Sequence, residues 1–268
     1  MSGAEHGVDL VSIAAASWGL GEENSKIYAG ALVAVLLVMC GFLALGRLKR
    51  VADPLLPAEN LSLYGTFQYI AEFLFRLGDN VMGPENRKYL PFIGTIFVYI
   101  LSMNLLGLVP GFIAPTGEMA FNAGLAITVF IAYTFWGIRE VGFVNYLKHM
   151  CGPAFFPLVF SFSWRLIFDV FVFLFEWVIH LFIFGVEVVS HLFRPVSLSL
   201  RLYGNMTADH ALLMVFTEMT KFGVPVVFYF LGIFVSFMQA FVFSMLTMIY
   251  IRLATAHEEG EGHEDGGH

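Results

Sequence analysis

The chain has 268 residues, of which 58% are hydrophobic, 30 are Phe and only 13% are charged, and its mean hydropathy is +0.77. Soluble domains carry about 25% charged residues, so a water-soluble globular fold is excluded and an all-α integral membrane protein is indicated. Much of the formal charge of −7 lies in the tail Glu258-Glu259-Gly260-Glu261-Gly262-His263-Glu264-Asp265, and Cys40 and Cys151 lie in or beside apolar segments, which argues against a disulfide framework.

Residues 1–26, with Glu5, Asp9, Glu22 and Glu23 and no basic start, read as an N-terminal outside segment without a cleavable signal or transit peptide. Residues 27–46 read as the first transmembrane helix, long enough to cross roughly 30 Å of hydrocarbon. Arg47, Lys49 and Arg50 follow it, so its C-terminal end is expected in the cytoplasm and the chain's N-terminus outside. Pro54 and Pro57 then break the chain. Residues 58–88 read as an interfacial amphipathic region, because Glu72 and Arg76 sit among Phe and Tyr, and Arg87 and Lys88 keep it cytoplasmic.

Residues 89–138 read as a transmembrane hairpin. Tyr89 to Val109 runs outward to Pro110-Gly111, a short loop holds Pro115, Thr116, Gly117 and Glu118, and Phe121 to Ile138 returns to Arg139 and Lys148. Asn104 and Asn122 are intramembrane amides expected to join helices.

Beyond this hairpin the pattern changes. Arg165, Asp169, Glu176, His180, Glu187, His191, Arg194 and Arg201 interrupt an otherwise apolar run. At about 100° per residue, all eight fall within about 40° of Asp169 on a helical wheel. The other faces are Phe, Leu, Val and Ile, so the pattern is that of a buried or lipid-facing helix with one polar seam. From Arg165 to Arg201 a continuous helix would be roughly 54 Å long, against roughly 30 Å of hydrocarbon. The segment must therefore be steeply inclined or bend, with Gly185 and Pro195 as candidate break points.

The last apolar stretch, Phe222 to Leu253, holds Ser236, Gln239 and Ser244 and no formal charge before Arg252. Lys221, Gly223 and Pro225 suggest a turn. Counting from Lys221, an antiparallel hairpin places Arg201 and Gln239 within about 3 Å of one level. A guanidinium cannot be deprotonated there and costs roughly 3 kcal/mol at the bilayer centre, so Arg201 requires a partner or a watery path.

The run Arg194-Pro195-Val196-Ser197-Leu198-Ser199-Leu200-Arg201-Leu202-Tyr203-Gly204-Asn205-Met206 resembles the signature of subunit a of the F-type rotary ATP synthase, R-P-x-S-L-x-x-R-L-F-G-N-M, with Tyr203 in place of Phe. Met103-Asn104-Leu105-Leu106-Gly107-Leu108-Val109-Pro110, Glu187 fourteen residues before the arginine, and Gln239-Ala240-Phe241-Val242-Phe243 agree with the same family. The resemblance covers roughly residues 60 to 256.

The resemblance implies two long inclined membrane helices packed against a rotating ring of c subunits, each bearing a membrane-embedded carboxylate. It implies two offset proton half-channels in the stator and an essential arginine between them. Arg201 is then the ring-facing cation and Gln239 its partner amide. Asn205 and His210 match positions lining the outside-facing half-channel, and Glu187 matches the acidic position of the cytoplasmic one. Ser190, His191 and Ser197 are expected as its neighbours, with Ser236, Glu176 and His180 as further lining residues. Residues 187–256 become the ring-facing hairpin. The other implied partners are the peripheral-stalk b subunits, the remaining ATP synthase subunits and lipid, with no nucleic acid. The expected location is a bacterial cell inner membrane, with the C-terminus cytoplasmic.

Two departures stand out. Many relatives carry an ionisable residue seven positions before the glutamine, where this chain has Gly232, and often a glycine before His210, where it has Asp209. Asp209 is expected to compensate, forming the outer relay with His210. Residues 153–186 read as an extended apolar insertion continuing the polar stripe, a re-entrant or membrane-surface element in which Arg165–Asp169 and Glu176–His180 pair at i,i+4 spacing. Residues 257–268 read as an acidic, His-containing cytoplasmic tail.

A stand-alone proton channel and a secondary ion-coupled transporter are the rival classes. The chain lacks the internal repeats and paired broken helices of the latter. There is no phosphate-binding Gly loop, no H-E-x-x-H and no thiol pair, so no catalytic residue, metal or cofactor is expected. ATP chemistry would belong to other subunits.

Overall fold

The computed structural model describes residues 25–48, 63–109, 112, 114–143, 146, 166–219 and 223–255. The first 24 residues, the Pro54 and Pro57 break, residues 147–165 with Arg165, Lys221 and the 257–268 tail lie outside the described residues, as do the side chains of Asp169, Glu176 and His180.

The described residues form α1 (Ser25–Leu48), α2 (Leu63–Met82), a 3₁₀ turn at Pro84–Tyr89, α3 (Leu90–Gly107), a second at Pro115–Gly117, α4 (Met119–Val141), α5 (Leu166–Met219) and α6 (Val224–Thr255). No strand occurs among them. Four stretches are long and apolar enough to cross a bilayer: Arg87–Gly107, Met119–Val141, Trp177–Thr217 and Val226–Thr255. Ile27–Leu43 is a shorter apolar helical stretch. The protein is an all-α integral membrane protein that crosses the membrane several times.

Neither Gly185 nor Pro195 ends α5. Pro195 lies inside the helix, where its missing N–H leaves the His191 carbonyl without its usual donor. At about 1.5 Å per residue, this 54-residue helix far exceeds the roughly 30 Å of hydrocarbon, so it cannot stand upright within the bilayer.

The chain divides into two units, residues 1–125 with 198–249, and residues 126–197 with 250–268. In the first, α3 buries Leu90, Ile93, Ile96, Phe97, Ile100, Met103, Asn104 and Gly107, the i, i+3, i+4, i+7 pattern of one helical face. Leu198, Leu202 and Met206 of α5 and Ala240, Phe243 and Met248 of α6 are buried in the same unit. Phe73 of α2 packs on Phe97, Phe237 and Phe241 with ring centroids 6.3, 6.2 and 6.0 Å away, which ties the amphipathic helix to α3 and α6. Arg87 donates through Nε and Nη2 to the two carboxylate oxygens of Asp79, at 2.9 and 2.7 Å, closing the α2–α3 junction.

In the second unit, α4 ends at Gly142, whose φ of 84° closes the helix in the left-handed conformation. Its N–H donates to the Ile138 carbonyl, and its own carbonyl accepts from the Tyr146 N–H, both at 2.9 Å. The turn lays Tyr146 across Gly137, where an added β-carbon would stand 2.8 Å from Tyr146 Cε2 and 2.9 Å from the Ala254 carbonyl oxygen. Val129, Tyr133, His191, Ile251 and Ala254 are buried here.

Candidate functional site

In the first unit, the α5 residues Leu198, Leu202, Met206 and Asp209 turn inward, and Arg201 is exposed on the same helix. No hydrogen-bond or ion-pair partner for Arg201 occurs among the described residues. Asn205, one turn on and also exposed, donates from Nδ2 to Gln239 Oε1 at 2.6 Å. Gln239 is 4% exposed, and its Nε2 has no hydrogen-bond partner among the described residues. An unsatisfied buried donor is costly, so this N–H is open to a further acceptor.

The α5–α6 register differs from the expected one. Phe216 stacks on Phe228 with centroids 4.0 Å apart, and Asn205 meets Gln239, so both pairs place the hairpin's midpoint at residue 222. Moving the pivot by one residue from Lys221 shifts pairing by two. Gln239 is therefore level with Asn205, and Arg201 lies about 6 Å along the helix from that level.

Asp209 is buried and faces Gly232. An added β-carbon at Gly232 would lie 3.0 Å from Asp209 Oδ2 and 2.6 Å from Leu108 Cδ2, so Asp209 fills the volume a larger residue at 232 would claim. His210 Nε2 would stand 3.1 Å from a β-carbon on Gly107, placing the imidazole against the C-terminal end of α3. Ser236, one turn before Gln239 on α6, is 2% exposed. Asn104 and Asn122 both reach Thr116 of the intervening turn: the Thr116 hydroxyl donates to Asn104 Oδ1 at 2.9 Å, and Asn122 Nδ2 donates to the Thr116 carbonyl at 2.7 Å.

The second unit holds a separate polar cluster. Glu187 and Arg194 are half-buried, Ser190 and Ser197 are exposed, and His191 is 8% exposed. The His191 ring packs edge-on against Phe130, Tyr133 and Tyr146, and its Nε2 lies 3.2 Å from the Tyr146 hydroxyl. The Arg194 guanidinium lies over the Tyr250 ring, 5.3 Å from its centroid. Glu176 and His180 belong to α5 by backbone only. No group of three His, Cys, Asp or Glu side chains placed to hold a metal occurs among the described residues.

Sequence reasoning singled out neither Tyr146 nor Tyr133. Tyrosines are frequent in membrane helices' surroundings, and only the Gly142 turn brings Tyr146 back to α5. The glycine at 142 was the available signal.

The family described as ATP synthase A chain matches residues 27–252. A protein named ATP synthase subunit a from Bdellovibrio bacteriovorus is 37% identical over 240 residues, covering 90% of this chain and 95% of the relative. Proteins of the same name from Solibacter usitatus and Sulfurimonas denitrificans are 38% and 40% identical, covering 73% and 71% of this chain and 75% of each relative.

Proposed function

The chain belongs to the ATP synthase subunit a family, part of the membrane sector of the rotary enzyme, and on that premise we propose that it is the stator that couples proton flow to rotation of a c ring. The observation that carries this reading is Arg201, exposed on α5 with no partner of its own chain among the described residues. A cation at membrane depth requires a counter-charge, and a ring carboxylate arriving from a neighbouring subunit is one.

The physics follows from that pairing. An ionised carboxylate is expensive in lipid, so ring sites are neutral away from the stator. Beside Arg201 the ionised form is favoured and the proton is released. The same fixed charge opposes direct leakage of protons between the half-channels. Lysine would supply charge without the broad, permanently protonated fork.

Asn205, Asp209, His210 and Ser236 line the outside-facing half-channel in this reading, with Asp209 taking over the carboxylate absent at Gly232. Glu187, Ser190, His191 and Ser197 line the cytoplasmic one, with Glu176 and His180 as its further extension. Gln239 is the partner amide of this region and holds Asn205, one turn beyond Arg201. The chain performs no ATP chemistry itself. Its partners are other ATP synthase subunits, among them the c ring and the peripheral-stalk b subunits. The membrane is a bacterial inner membrane, with the N-terminus outside and the C-terminus cytoplasmic. The segments are those of the sequence reading: span 27–46, interfacial region 58–88, hairpin 89–138, insertion 153–186 and ring-facing hairpin 187–256.

Arg201→Ala in the assembled complex should abolish ATP-driven acidification of inverted membrane vesicles while the complex remains in the membrane. Acidification at the wild-type rate would overturn the proposal.

A further inference from the structure

We propose that Tyr146 is a positioning residue for proton transfer through His191, and that the Tyr146–His191 pair makes Glu187, His191 and Tyr146 one relay; this rests on the cytoplasmic half-channel reading above. The geometry lies wholly within the second unit. His191 is nearly buried and boxed by Phe130 and Tyr133 of α4 and by Tyr146, so its ring plane is fixed by packing. Its Nε2 meets the Tyr146 hydroxyl at 3.2 Å, and Glu187 is one turn away on the same face of α5.

A hydrogen bond to one ring nitrogen sets what the other can do. When the Tyr146 oxygen accepts from Nε2–H, the neutral ring presents a lone pair at Nδ1. The carboxylic acid of Glu187 can then give its proton to Nδ1, leaving a carboxylate and an imidazolium. The Nε2–H···O contact persists in both states, so the ring need not turn as Nδ1 takes the proton from Glu187 and releases it to the water of the half-channel.

The charged and titratable groups around His191 fit a transient cation. Glu187 and Arg194 flank it on α5, Tyr133 faces it from α4, and Tyr250 of α6 meets Tyr133 and lies beneath Arg194. The carboxylate supports an imidazolium and the guanidinium opposes it, which favours passage over trapping. Gly137 serves the same arrangement by leaving room for the Tyr146 ring.

The test is the pH profile of ATP-driven acidification in inverted vesicles carrying the whole complex, with the amount of assembled complex measured alongside. Tyr146→Phe is expected to lower the rate about fivefold, the weight of one hydrogen bond, and to move the pH of the half-maximal rate. His191→Gln is expected to remove that limb of the profile, and the double variant to match His191→Gln alone. Tyr146→Gln, which keeps an acceptor oxygen, is expected to retain the wild-type midpoint, and carries the test should the Phe variant fail to assemble. A midpoint unmoved in Tyr146→Phe, a midpoint lost in Tyr146→Gln, or a further loss in the double variant would overturn the inference. Arg201→Ala in the same assay separates the two readings: if it is inactive and Tyr146→Phe unaltered, only the relay fails; if it pumps normally, the stator assignment fails first.

Discussion

Asp209 and Gly232 address one volume from α5 and α6, because the carboxylate of Asp209 stands where a side chain at 232 would begin. On the half-channel reading proposed above, the carboxylate absent at 232 is supplied from 209. Asp209→Gly is expected to lower ATP-driven proton pumping at least tenfold. Gly232→Asp alone crowds two acids into one space, where like charges resist joint ionisation, and is also expected to impair pumping. The double variant Asp209→Gly, Gly232→Asp should recover most of the rate in the same vesicle assay. A double variant no better than Asp209→Gly would show that the carboxylate's exact origin matters more than its presence.

At the scale of elements, α2 is held by aromatic packing from Phe73 and by the Asp79–Arg87 fork. The side-chain hydrogen bond from Arg87 holds the Asp79 carboxyl below the usual carboxylate range, with the guanidinium's charge adding to it. A group whose folded pKa is depressed stabilises the folded form above its unfolded pKa, about 4 for aspartate, and that support is lost as pH falls through the lower folded value. A spin label at the exposed Asn80 should therefore gain mobility as pH falls below about 4. In Asp79→Asn it should be mobile throughout and insensitive to pH. A label equally immobile in both proteins would show that Phe73 and its neighbours suffice.

Much of this architecture was legible in the sequence. The apolar runs announced the helices because hydrocarbon thickness sets a minimum length, and the stripe from Glu187 to Arg201 was visible because its spacing follows the helical repeat. What the stripe could not convey was its surroundings. His191 is nearly buried and Arg201 exposed, although they share a face, because burial depends on which other helix passes by. Tyr146 escaped notice for the same reason: its role comes from the Gly142 turn and the bare surface of Gly137. Arg201 and Gln239 lie four residues apart in level where two were expected, because moving a hairpin's pivot by one residue shifts its pairing by two.

For the molecule as a whole, the long helix α5 presents inward a face that completes the first unit's core and outward a face bearing Leu200, Arg201 and Asn205. That outward face carries a charge with no partner among the described residues, which the proposed stator role answers with a neighbouring subunit. The direct measurement is a density map of the assembled membrane sector at side-chain resolution. The expected result is the Arg201 guanidinium lying opposite a carboxylate-bearing helix of a c ring, with Asn205 and Gln239 hydrogen-bonded behind it. Arg201 facing lipid, or turned back onto its own helices with no ring alongside, would contradict the account.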